Sequence, residues 1–237
     1  MPYRELDESH ILRTLERLKL RISERFPGSG LSKVAEELIA IANEVTAAAA
    51  YLSKPNFAIR IPVTIAIVLM LGLAVLLAIT VRPPTEMHGL DQVVQLIDAG
   101  INDIVFLGIA IYFLLTIEAK LKRNRALGMI HSLRSLAHVV DMHQLTKDPE
   151  RYASPAPDTA SSPQRTMTAT ELGRYLDYCS ELLSITSKLA ALLVQRFTDE
   201  AVLGGVNEIE GLTTGLSLKI WQKIRLIDRS DKEGGER

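Results

Sequence analysis

Residues 61–81 read Ile61-Pro-Val-Thr-Ile-Ala-Ile-Val-Leu-Met-Leu-Gly-Leu-Ala-Val-Leu-Leu-Ala-Ile-Thr-Val81, with no charged side chain among them. A helix of this length extends ~31 Å, which matches a bilayer hydrocarbon core of ~30 Å. Pro62 falls in the first turn, where its missing N–H costs no intrahelical bond. A buried core helix of the same composition needs a far larger soluble protein around it. The stretch is therefore read as a membrane span.

A second apolar stretch, Ile104 to Ile117, is too short to cross alone at ~21 Å. A short link joins it to the first span, so it has to return through the same bilayer. Its helix then has to start near Asp98 or before and take in Asp98, Asn102 and Asp103. A re-entrant segment is the competing reading. Lys120, Lys122, Arg123 and Arg125 follow immediately, as basic residues follow a span that ends in the cytoplasm. The transmembrane hairpin is thus placed at 57–117, with spans at about 61–81 and 97–117 and an outer link at 82–96.

Charge sets the orientation. Arg82 stands against Glu86, Asp91, Asp98 and Asp103 around the link, whereas Lys54, Arg60 and the Lys120–Arg125 cluster flank the other side. Cytoplasmic flanks collect Lys and Arg, so both termini are expected in the cytoplasm of an inner (plasma) membrane protein that crosses twice. The charged stretch ahead of the first apolar run has no cleavage pattern, so the first span reads as a retained anchor. The basic cluster is also expected to touch anionic lipid headgroups.

Outside the hairpin the apolar pattern is helical throughout. Residues 1–54 read as a helical hairpin broken at Phe26-Pro-Gly-Ser-Gly30. Its first helix carries Ile11, Leu15, Leu18 and Ile22. Its second repeats Leu31, Ala35, Leu38, Ala42, Val45, Ala49 and Leu52 every four and three residues, a seven-residue seam. Residues 118–148 continue the second span as a cytoplasmic helix. Residues 149–167 are polar and proline-rich, and read as a disordered linker. Residues 168–229 form a second helical hairpin. It opens on the capping-box pattern Thr168-Ala-Thr-Glu171, carries Leu172, Tyr175, Cys179, Leu182, Thr186, Leu189 and Leu193 on one seam, and reverses near Thr198-Asp199. Its last helix presents Val206, Ile209, Leu216, Ile220, Ile224 and Ile227. Residues 230–237 read as a disordered tail. No stretch alternates with period two. The expected fold is an all-α membrane protein: a two-helix transmembrane hairpin with a cytoplasmic helical bundle of coiled-coil character.

Composition narrows the chemistry. The 237 residues carry 27 basic against 28 acidic groups, which gives no global argument for nucleic acid, and the single cysteine excludes an intrachain disulfide or a Cys-cluster metal site. Three polar groups stand out. His131, Arg134, His138 and Asp141 share a helical stripe on which Asp141 can pair with His138 at i,i+3. The two histidines are ~10 Å apart along the axis, too far to share one metal ion. This is a possible interaction stripe. Asp98, Asn102 and Asp103, continuing Asp91 and Gln95, form a possible polar stripe within the membrane. Gly204, Gly211 and Gly215 fall near one face and are expected at a helix crossing.

No nucleophile, metal or nucleotide motif is present, and no cofactor is expected. The reading is a non-enzymatic membrane protein that contacts lipids, with a homo-oligomer or a cytoplasmic protein partner and no nucleic acid. The alternative is a two-span pore-forming effector. A hairpin with cytoplasmic helices resembles the plan of small effectors in bacterial conflict and defence systems, by architecture and not by motif.

Overall fold

Asp7 starts the first helix by accepting the amide hydrogens of Ser9 and His10 at 2.8 and 3.2 Å, two donors that the helix itself leaves unpaired. In the computed structural model, which describes residues 5–80, 90–147, 160 and 167–235, all regular structure is helical. The helices are α1 (Glu8–Arg25), α2 (Gly30–Ser53), α3 (Phe57–Thr80), α4 (Leu90–Leu145), α5 (Ala169–Arg196) and α6 (Glu200–Gly235). They divide into two compact units: residues 1–53 with 125–237, and residues 54–124.

The first unit is a helical bundle. α5 packs against α1, α2 and α6. Its seam residues Leu172, Tyr175, Cys179, Leu182, Thr186, Leu189 and Leu193 are all buried, as is the whole Leu31–Leu52 seam of α2. From α4, Ala126, Ile130, Leu133, Leu136, Ala137 and Val140 join the same core. Each large aliphatic side chain taken fully from water contributes about 1.5–3 kcal/mol. The ends are built from local chemistry. Thr168 and Glu171 complete the capping box that opens α5, with Glu171 N–H donating to Thr168 Oγ1 at 3.2 Å. Asp199 accepts from the amides of Ala201 and Val202 to open α6. Between α1 and α2, Gly28 takes φ +67°, where a Cβ would be strained. Phe26 then turns its ring edge-on to Tyr175 and Tyr178, with centroids 5.4 and 6.2 Å away.

The second unit holds α3 and the part of α4 up to residue 124. Among the described residues two helices are long and apolar enough to cross a membrane, and none of either apolar stretch is buried. Ile79 is 72% exposed and Ile104 71%.

α4 starts at Leu90, within the sequence reading of a start near Asp98 or before. A helix needs its backbone bonds and not apolar side chains, and the polar residues there already follow helical spacing. α6 continues to Gly235, through the stretch read as a tail. Extending a nucleated helix fixes one residue per bond gained, so Asp, Lys and Glu suffice to carry it on. The linker at 149–167 lies outside the described residues except for Ala160 and Met167, and Met167 packs against the core ahead of α5. Of the outer link, residues 81–89 lie outside them too.

Candidate functional site

Lys54-Pro55-Asn56 interrupts the chain between α2 and α3, and this break meets α4 through a carboxylate. Asn56 N–H donates to Glu118 Oε1 at 3.1 Å, Arg60 Nε to Glu118 Oε2 at 2.6 Å, and Lys122 Nζ lies 3.0 Å from Glu118 Oε1. Lys122 Nζ also donates to the Lys54 carbonyl at 2.8 Å. The Lys122 side chain is only 9% exposed. An ammonium so far from water is costly unless its donors are met, and here a carboxylate and a carbonyl meet them. The Arg60 guanidinium, with Lys122 and the Asn56 amide, holds the Glu118 carboxyl well below its ordinary value, at about 2. The carboxylate thus ties the start of α3 to α4.

This arrangement divides the basic cluster. Lys122 is turned inward, whereas Lys120, Arg123 and Arg125 are exposed. The Lys120 ammonium lies 4.5 Å from the Phe113 ring centre and the Arg125 guanidinium 5.0 Å from that of Tyr51. Glu118 was not singled out in the sequence. Its i,i+4 spacing to Lys122 was the available signal. Nearer the start of α4, Asp98, Asn102 and Asp103 are all exposed.

In the bundle the four residues of the His131 stripe separate. Arg134 pairs with Glu208 on α6. Asp141 accepts a hydrogen bond from Gln144 Nε2 at 2.5 Å, and no bond joins it to His138. His131 and His138 are exposed. The reason is angular: Arg134 and Asp141 fall on the edge of α4 nearer α6, and the histidines on its outer face. Gln144 is the hub that sequence reading missed. It is buried, and Lys223 Nζ donates to its carbonyl at 2.9 Å and to its Oε1 at 2.7 Å. The same ammonium reaches the Lys147 carbonyl at 3.2 Å, so a cation satisfies the orphan carbonyls that end α4. His143 is turned toward α2, where a Cβ added to Gly30 would come 2.2 Å from its Cε1.

The glycines of α6 also sort differently from expectation. Gly204, Gly211 and Gly215 face open space, with nothing within 4 Å of a Cβ placed on them. Gly205 is the one that meets α4, at 3.1 Å from Ile130. Its face could not be chosen from spacing alone, because the neighbours of α6 come from distant parts of the chain.

Among the described residues no group of three His, Cys, Asp or Glu stands together to hold a metal ion. Burial pushes the Cys179 thiol up to about 12, which leaves it a small apolar filler and not a nucleophile at neutral pH. No family model, curated protein or solved structure matches this chain. The polar groups therefore speak through their geometry: one cluster ties a helical hairpin at its base, and another seals the end of α4 in the bundle.

Proposed function

We propose that this chain is an integral protein of an inner (plasma) membrane, in which a two-span hairpin anchors a cytoplasmic helical bundle used for protein–protein interaction or self-assembly. The proposal is of a non-enzymatic role. The observation that carries it is the set of exposed large aliphatic side chains along α3, from Ile61 through Leu69 and Leu73 to Ile79. A water-facing surface of that kind is far larger than soluble monomers tolerate. Arm lengths support the same reading. Arg60 is bonded to Glu118, so the two mark one level. Counting ~30 Å along each arm leads to Thr80 on α3 and to Asp98 on α4. Both termini in the cytoplasm follow from the basic flanks at that level.

The test is a pair of measurements. Membranes washed in alkaline carbonate should retain the protein, and compartment reporters at residues 1, 160 and 237 should read cytoplasmic while one at residue 86 reads outside. Release by carbonate, or a cytoplasmic signal at residue 86, would overturn the reading.

A second reading, the pore-forming effector, is favoured by Asn102 and Asp103, both exposed. They lie ~24 and ~22 Å from the level of Glu118, inside the hydrocarbon. Polar groups at that depth are costly unless they face one another or water. Dye release from vesicles by the wild type, lost in Asn102→Leu with Asp103→Leu, would select the pore. An equal, low leak from both proteins would remove it.

A further inference from the structure

We infer that the outer face of α6 is a self-association surface, on which a second copy of this chain lays its own α6 antiparallel. The inference deepens the self-assembly side of the function proposed above, and does not depend on where the hairpin sits.

α6 buries Val202, Val206, Ile209, Thr213, Leu216, Ile220 and Ile227 on its inner side. The opposite side is exposed and sets three large apolar groups among polar ones. Leu203 is 44% exposed, Leu218 60% and Trp221 59%. Steps of three, four and seven residues place them on one face with Glu200, Gly211 and Arg225. Leu218 and Trp221, one turn apart, make an exposed apolar pair, and Leu203 stands about four turns nearer the start of the helix.

Charge identifies the occupant. From Glu200 to Gly215 the helix carries Glu200, Glu208 and Glu210 and no base. From Leu216 to Ile227 it carries Lys219, Lys223 and Arg225 and no acid. Glu208 and Lys223 are engaged within the bundle, by Arg134 and Gln144. Glu200 and Arg225 remain on the outer face, at opposite ends of it, with exposed Glu210 at its edge. A two-fold axis between Gly211 and Thr214 brings Glu200 of one copy to Arg225 of the other, and Leu203 to Trp221, twice over. A parallel pair would set acid against acid and base against base. The face is thus complementary to itself only when reversed, the property of an isologous contact. At the crossing point Gly211 has open space where a Cβ would stand, so the two backbones can approach closely.

The experiment uses the full chain in detergent at low salt. Trp221 is the only tryptophan, so its emission reports this face directly. Mass should rise from monomer to dimer with concentration while the emission shifts to the blue. Glu200→Arg or Arg225→Glu alone should weaken the dimer about fivefold to tenfold, and the two together should restore it. Gly211→Leu fills open space in the monomer and should block pairing without unfolding it. For direction, Thr214→Cys should form a disulfide with itself, whereas Leu203→Cys should do so only with Trp221→Cys on the other copy. A monomer at every concentration overturns the inference. So does a dimer whose Trp221 emission does not move, one in which the double charge variant is no better than either single, or self-linking of Leu203→Cys. Carbonate extraction reads the membrane proposal separately, so either can fail without the other.

Discussion

α2 and α3 are helices of 24 residues each, adjacent in the chain and both rich in aliphatic side chains, yet they have opposite surroundings. α2 confines Leu31, Leu38, Val45 and Leu52 to a stripe and sets Lys33, Glu36, Glu37 and Glu44 outside it. α3 spreads its aliphatics all round and has no charge beyond Arg60. The first pattern can be satisfied by one neighbouring face, and the bundle supplies it. The second has no polar side to give to water, so it needs an apolar surround on every side. Two helices of equal length thus call for different surroundings by the distribution of their side chains.

The sharpest way to break this comparison is to give α3 a charge. Leu69→Arg with Leu73→Arg should cost about 2.5–3.5 kcal/mol per residue at mid-span. The protein should then leave the carbonate-washed membrane, while Glu37→Arg on exposed α2 surface should leave both location and stability unchanged within about 0.5 kcal/mol. Next come the buried seams. Leu38→Ala or Leu182→Ala should destabilise the bundle by about 2–5 kcal/mol in denaturant unfolding followed by circular dichroism. Leu73→Ala, which empties no packed site in α3, should cost well under that.

A smaller effect is expected where the hairpin is tied. Glu118→Gln removes the negative charge that faces Lys122 and Arg60 and weakens both bonds, a loss of about 1–3 kcal/mol. Trypsin should then cut after Arg60 or Lys122, the two cations that Glu118 holds, faster than in the wild type. The pH dependence has a definite sign. The folded carboxyl is held at about 2 against an ordinary 4.5. Its stabilisation is therefore complete above about pH 4.5 and lost as pH falls toward 2. Glu118→Gln should lack that dependence in thermal melts across the same window. The smallest expected change is at Asp141. Asp141→Ala should cost about 0.5–1.5 kcal/mol. In a double-mutant cycle it should couple to Gln144→Ala and add independently to His138→Ala. Coupling to His138 instead would restore the stripe as a unit.

Those four expectations show how unevenly the chain could be read. The seams of α2 and α5 were legible residue by residue, because a helix that buries one face has to repeat its apolar groups every three or four positions. So was the capping box at Thr168 and Glu171, since both its partners lie within one turn. The hub at Gln144 was not. Its partner Lys223 is 79 positions away, and no local pattern separates a lysine that caps a distant helix from one in water. Lys122 was read as a topology charge for the same reason, and only its packing against Glu118 and the Lys54 carbonyl turned it inward.

The sequence by itself determined that the chain is helical, where most of its helices begin and end, which seams face inward, and that two helices are long and apolar enough to cross a membrane. Each of these rests on interactions within a few residues, or on composition summed along one segment. Only the tertiary structure decided which polar groups meet: Glu118 with Arg60 and Lys122, Arg134 with Glu208, Gln144 with Lys223. It alone also decided that Gly205, and not Gly204 or Gly211, lies at the crossing with α4. Such pairings depend on the rotation of each helix about its axis, and that rotation is set by packing against elements far away in the chain.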